Sequence, residues 1–198
     1  MKLNSELRRQ AADVLTGNWG MAAIITLVYG LLFGGGSSAS MGIIGLALLP
    51  VYYGYAVLFL DLVRGTNLDF GRLFDGYKDI GRIFGTVLLY QIYILLWTLL
   101  LVVPGIMKSY SYAMTFYILK DYPELAYNSA IEKSMAMMSG YKMKLFLLDL
   151  SFIGWAILCL FTFGIGFLFL GPYVQAAHAA FYEDLKKELG ESIEVNAG

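Results

Sequence analysis

At 198 residues, 59% hydrophobic and only 15% charged, the chain lies well outside the composition of soluble domains. A formal charge of -1 offers no basic face to displace counterions from phosphates, so no nucleic-acid partner is expected. One cysteine and one histidine exclude an intramolecular disulfide and a zinc centre of several soft ligands, and no cofactor is expected.

The chain opens with Lys2, Arg8 and Arg9, an apolar run, and Ser38-Ala39-Ser40, an order that resembles a secretory leader. The basic stretch is long and amphipathic, however, and the repeat set out below needs the apolar run as a retained helix. Charge is scarce from Gly20 to Phe33, Met41 to Leu60, Ile83 to Val103 and Leu150 to Leu170. A soluble helix turns one polar face to water, and these runs show no polar stripe. Hydrocarbon demands that every backbone polar group pair within its own segment, so the runs are predicted as helices. About 20 residues cross a bilayer. The predicted spans are Gly20 to Gly36, Met41 to Val63, Arg82 to Val103, Gly105 to Leu119, Lys142 to Phe161 and Phe163 to Tyr182.

Alignment on Pro50, Pro104 and Pro172 exposes an internal repeat. Gly17-Asn18-Trp19, Gly76-Tyr77-Lys78 and Gly140-Tyr141-Lys142 each precede an apolar run. Phe59-Leu60-Asp61, Phe116-Tyr117 with Asp121, and Phe181-Tyr182-Glu183 each close a returning one. The fold class read from this is an all-α membrane protein, six transmembrane helices in three tandem hairpins joined by short interfacial helices. The units are about 1–64, 65–122 and 123–187, with a flexible tail over 188–198. The prolines are expected at equivalent heights beside the outer turns, where a missing N–H is harmless in a first helical turn. Pro123 to Met138 reads as the clearest interfacial helix.

Orientation follows from lysine and arginine, which favour cytoplasmic loops. With six crossings, Lys2, Arg8, Arg9, Arg64, Arg72, Lys78, Arg82, Lys120, Lys133, Lys142, Lys144, Lys186 and Lys187 share one side and only Lys108 falls elsewhere. Both termini are therefore expected in the cytoplasm, with Ser38 and Phe163 near the outer face.

Gly17-Asn18-Trp19-Gly20, Pro104-Gly105-Ile106 with Lys108 through Met114, Ser134 through Gly140, and Phe181 through Leu185 together resemble a family of bacterial integral membrane proteins of unknown function. The resemblance implies a cell-membrane location and carries no activity, cofactor or catalytic residue.

Candidate chemistry is thin. Gly34-Gly35-Gly36-Ser37-Ser38 lacks the lysine and preceding strand of a phosphate loop and reads as an external turn. Gly30 with Gly34, and Gly81 with Gly85, have the spacing of close helix packing. Cys159 and His178 are set at different depths and do not form a thiol dyad. Asp149 alone lies well inside a span, so an aspartyl dyad lacks its second carboxylate. A carboxylate in hydrocarbon faces the bundle interior and takes a partner. The expected partner is His178, with Gln175 on the same face and Gln91 from the third span as a further neighbour. Lys108, Tyr110 and Tyr112 form a candidate contact at the external face. The expected function is a non-enzymatic scaffold or modulator of another membrane component, with a transporter or lipid-handling protein as the alternative and an intramembrane enzyme behind both. The expected partners are the lipid bilayer and another membrane protein.

Overall fold

The structure, a computed structural model, describes residues 1–34, 47–100 and 102–190. The expected glycine turn from Gly35, Ser38, the first residues of the second span and the tail from 191 lie outside the described residues. Among those described, every regular element is helical. In chain order they are α1 (Asn4–Leu15), α2 (Trp19–Gly34), α3 (Leu49–Val63), a 3-10 helix (Phe70–Tyr77), α4 (Ile80–Leu100), α5 (Val102–Tyr112), α6 (Thr115–Asp121), α7 (Asn128–Met137), α8 (Lys142–Leu150), α9 (Ile153–Phe161) and α10 (Phe167–Glu188).

Two described segments, Ile80–Leu99 and Lys142–Phe161, are long and apolar enough to cross a membrane. A third candidate joins α1 to α2, but the two meet at 97° across Gly17, whose φ of +84° suits a residue without a Cβ. Gly140 has the same φ of +84° before α8. The first and third units thus share an amphipathic helix, a left-handed glycine and an apolar helix. The middle unit departs from this pattern, because Gly76 lies within the 3-10 helix and its φ is not positive.

The molecule is built around α3 and α10. Thirteen of the fifteen residues of α3 are buried, as expected for a helix apolar on every side. Packed against α3 are the 3-10 helix, α4, α6 and α10, while α1 and α2 lie along α10. The alanines Ala176, Ala177, Ala179 and Ala180 let α10 approach its neighbours closely. On the periphery the polarity is inverted relative to a water-soluble protein: Leu99 is 81% exposed and Phe161 79%, with Ile24, Leu31, Leu95, Leu96, Ile157 and Leu160 also exposed. Exposed apolar side chains in this number favour an apolar solvent or a partner.

Several boundaries differ from expectation. The segment opening the third unit is helical only from Asn128 to Met137; residues 123–127 are not helical, and Tyr127, with a φ of +50°, bars continuation of a helix through it. The fourth predicted span is broken at Ala113-Met114 into α5 and α6. Buried Ser134 fills the break, accepting from the Met114 N–H (3.2 Å) and donating to the Ser111 carbonyl (2.9 Å). Gly85 packs against the ring of Tyr127 rather than a helix backbone, and Gly30 has open space beside it.

The prolines do not share a height. Pro104 stands beside the last turn of α4, since a Cβ on Gly105 would lie 2.9 Å from the Thr98 Cα. Pro50 instead packs on Gly76, just before α4 begins, and Tyr77 donates to the Ala47 carbonyl (2.6 Å). The cause is a close backbone approach: a Cβ on Gly54 would stand 2.0 Å from the Leu73 carbonyl oxygen. Two glycines therefore let the linker after α3 run back along that helix. Pro172 lies inside α10, which starts earlier, at Phe167.

Candidate functional site

Asp149, near the end of α8, and His178, midway along α10, meet in a cleft to which all three units contribute. His178 Nε2 lies 2.5 Å from Asp149 Oδ1, and Tyr110 of α5 donates its hydroxyl to Asp149 Oδ2 (3.0 Å). The carboxylate thus has a partner on each of two helices, the arrangement that makes it tolerable in a low-dielectric interior. Gln175, one turn before His178, lines the same cleft. Gln91 does not: it is exposed on α4, where the third span turns it outward. The cleft encloses about 590 Å³, and Ala113 at the α5–α6 break forms part of its wall.

The candidate external contact separates into two environments, Lys108 with Tyr112, whose ring centre lies 6.0 Å from the ammonium, and Tyr110 apart from them. Lys108 lies over the Trp97 ring, 4.8 Å from its centre, where a cation meets the negative ring face. Tyr110, two positions on and so about 200° around the helix, points the other way to Asp149. Tyr112 is buried against Tyr90 and Tyr93. Helical period rather than sequence proximity decides this, and it moves Tyr110 into the cluster around Asp149.

Sequence reasoning missed a second cluster at the ends of α3, α6 and α10. Arg64 donates Nη1 and Nη2 to the two oxygens of Asp121 (2.6 and 2.7 Å) and Nε to Glu183 (2.8 Å). Lys186 (2.6 Å) and Tyr182 (2.9 Å) also donate to Asp121. Burial opposes charge on Asp121, yet the hydrogen bonds and charges of Arg64 and Lys186 outweigh it and hold the carboxyl below the usual carboxylate range. Nearby, Asp61 receives Arg72 and, at 3.4 Å, Lys120. The signal was available: Arg64, Asp121 and Glu183 each follow the aromatic closing a returning helix of the repeat.

The family described as "Protein of unknown function (DUF975)" matches residues 81–189, over half of the chain. The chain belongs to this family. The match spans α4 to α10 and so contains Tyr110, Asp149 and His178, whereas the Gly17 to Gly20 motif lies outside it. No curated protein and no solved structure matches the chain.

Proposed function

We propose that this is a multi-pass, non-enzymatic protein of the bacterial cell membrane that binds an amphiphile in the cleft beside Asp149. The exposed apolar residues of α2, α4, α8 and α9 support a bilayer as its solvent. Contacts also gather the basic residues toward one end: Arg64 reaches Asp121, Arg82 reaches the Leu119 carbonyl (3.0 Å), and Asn4 of α1 reaches the Lys144 carbonyl (3.5 Å). Lys2 N–H bonds Asp184 (2.6 Å), which sets the start of α1 beside the end of α10. An even number of crossings with this end in the cytoplasm accords with all of these contacts and with the positive charge.

One observation carries the binding role. The polar cleft continues into an apolar groove between α5 and α8, the two sharing Ile106, Tyr110 and Phe146. A site polar within and apolar toward the bilayer suits a molecule that arrives sideways from the membrane, and a broken helix beside it is a feature of membrane carriers. Protein purified in mild detergent and extracted for mass spectrometry should yield a near-stoichiometric amphiphile that Asp149→Asn loses without a change in thermal unfolding. Equal retention by both proteins sinks the proposal.

The same groove, lined by Met107, Met143 and Phe146 with Gly140 beside it, favours a second reading, in which it seats a helix of another membrane protein. A photoreactive side chain at Met143 separates the two by crosslinking to lipid or to protein.

A further inference from the structure

The lining of the cleft selects its ligand. Tyr52, Tyr90, Tyr110, Phe116, Tyr117 and Phe146 wall it with aromatic rings, and Asp149 is the one carboxylate among the described residues that line it. No lysine or arginine is among them. Ring faces attract cations through their quadrupole, and more strongly where water is excluded. A carboxylate adds to this at low dielectric. An anion would meet the Asp149 carboxylate with no lysine or arginine in the lining to offset it, and an uncharged solute could take from Asp149 a hydrogen bond but no charge pairing. The volume of about 590 Å³ lies within the range of about 300–1,000 Å³ usual for small-molecule sites.

His178 completes the chemistry. As an imidazolium it neutralises Asp149; as neutral imidazole it leaves the carboxylate charge uncompensated. We infer that the cleft holds an organic ammonium group, and that this group and the proton on His178 compete for Asp149. The inference rests on the proposal that the cleft is a ligand site. The groups facing Asp149 are Tyr110 of α5, Tyr117 of α6, and Gln175 and His178 of α10, with Tyr52 of α3 and Tyr90 of α4 across the cleft. Arg8 of α1 reaches the carbonyl of Ser151, two residues on from Asp149, at 3.4 Å and does not line the cleft. The ammonium has two possible sources, a soluble amine or the headgroup of an aminophospholipid entering through the α5–α8 groove.

His178 is the only histidine, so its imidazole resonances need no assignment. The full chain, purified without a histidine tag and labelled with ¹⁵N-histidine, is placed in phosphatidylglycerol nanodiscs in an amine-free buffer under conditions where both forms of the imidazole give signal. Choline tests the soluble source, and replacing half the lipid with phosphatidylethanolamine tests the headgroup. The expected result is that one of the two lowers the imidazolium-to-imidazole ratio about tenfold at saturation, a coupling of ordinary size. The uncharged isostere 3,3-dimethylbutan-1-ol should leave the ratio unchanged, and Asp149→Asn should abolish the response. Phe146→Leu, which leaves every polar group in place, should weaken choline or headgroup binding about threefold to tenfold while folding normally. No change with either ammonium, or an equal response to the isostere, overturns the inference. Ammonium probes that do nothing, alongside retention of an uncharged or anionic amphiphile from cells, refute the ammonium assignment and leave the cleft a ligand site. Inert probes with nothing retained refute both.

Discussion

Arg64 grips Asp121 with both terminal nitrogens of its guanidinium, at 2.6 and 2.7 Å, and so ties the end of α3 to the end of α6. The Asp121 side chain is 3% exposed and also receives Lys186, whereas that of Arg64 is 29% exposed. The two partners therefore respond unequally to substitution. Asp121→Asn strands Lys186, leaves Arg64 with Glu183 alone, and should destabilise by about 3 kcal/mol, near the lower end for broken buried pairs. Arg64→Gln, which keeps Lys186 and Tyr182 on Asp121 and is softened by solvent, should cost about half as much. Thermal or denaturant unfolding in detergent gives the ranking, and a larger loss for Arg64→Gln would contradict it.

Acid should reveal the same cluster. A carboxylate whose folded pKa is depressed contributes stability that is complete above its unfolded value, near 3.9, and is lost as the pH falls toward the folded value. For Asp121 the direction is downward. Its contribution to the unfolding temperature should thus be level from pH 7 to about pH 5 and decline below. Asp121→Asn should remove that part of the acid slope, which parallel melts at pH 6 and pH 3 measure.

Two glycines allow a paired test of packing. A methyl at Gly54 would collide with the Leu73 carbonyl, a backbone atom that cannot rotate away, whereas one at Gly20 would meet nothing within 4 Å. Gly54→Ala should lower stability by about 3 kcal/mol through overpacking. Gly20→Ala should be neutral or gain about 0.5–1 kcal/mol from helix propensity. A tolerated Gly54→Ala would mean that the 3-10 helix does not lie against α3.

Topology is accessible to thiol chemistry in a background carrying Cys159→Ala. Phe163, 100% exposed at the turn between α9 and α10, should label as Phe163→Cys with an impermeant maleimide in intact cells. Lys133→Cys should label only after lysis. Labelling of Lys133→Cys in intact cells would reverse or break the proposed arrangement.

What the sequence made legible divides along physical lines. Long apolar runs announce helices because their backbone has few other options, and α4 and the Lys142–Phe161 segment fall within a few residues of expectation. The meeting of Asp149 and His178 was legible from depth alone, since both residues could be counted from the same end of adjacent helices. Azimuth was not legible. Gln91 and Tyr110 face the reverse of what their neighbours suggested, because helix rotation is set by packing that one sequence does not display. Backbone contact was equally hidden. Nothing in the composition of residues 66–79 declares that Gly54 and Gly76 let that stretch turn back along α3, and so Pro50 was set at the wrong end of α4. The cluster around Asp121 went unread for another reason, since charges near a membrane surface were credited to orientation rather than to one another.

The packing of α1 along α10 has a consequence for how the chain is made. Leu7, Ala11 and Leu15, the buried face of α1, find much of their cover on α10, which is translated after every other described element. At about 5–20 residues per second, α1 waits roughly 10–30 s for that partner. Through the interval its apolar face has only its smaller contacts with α3 and α8, and its amphipathic composition suits it to rest at an interface meanwhile. Full docking of α1 therefore waits on α10, and a ribosome stalled before α10 leaves α1 without its largest contact however well the intervening hairpins have formed.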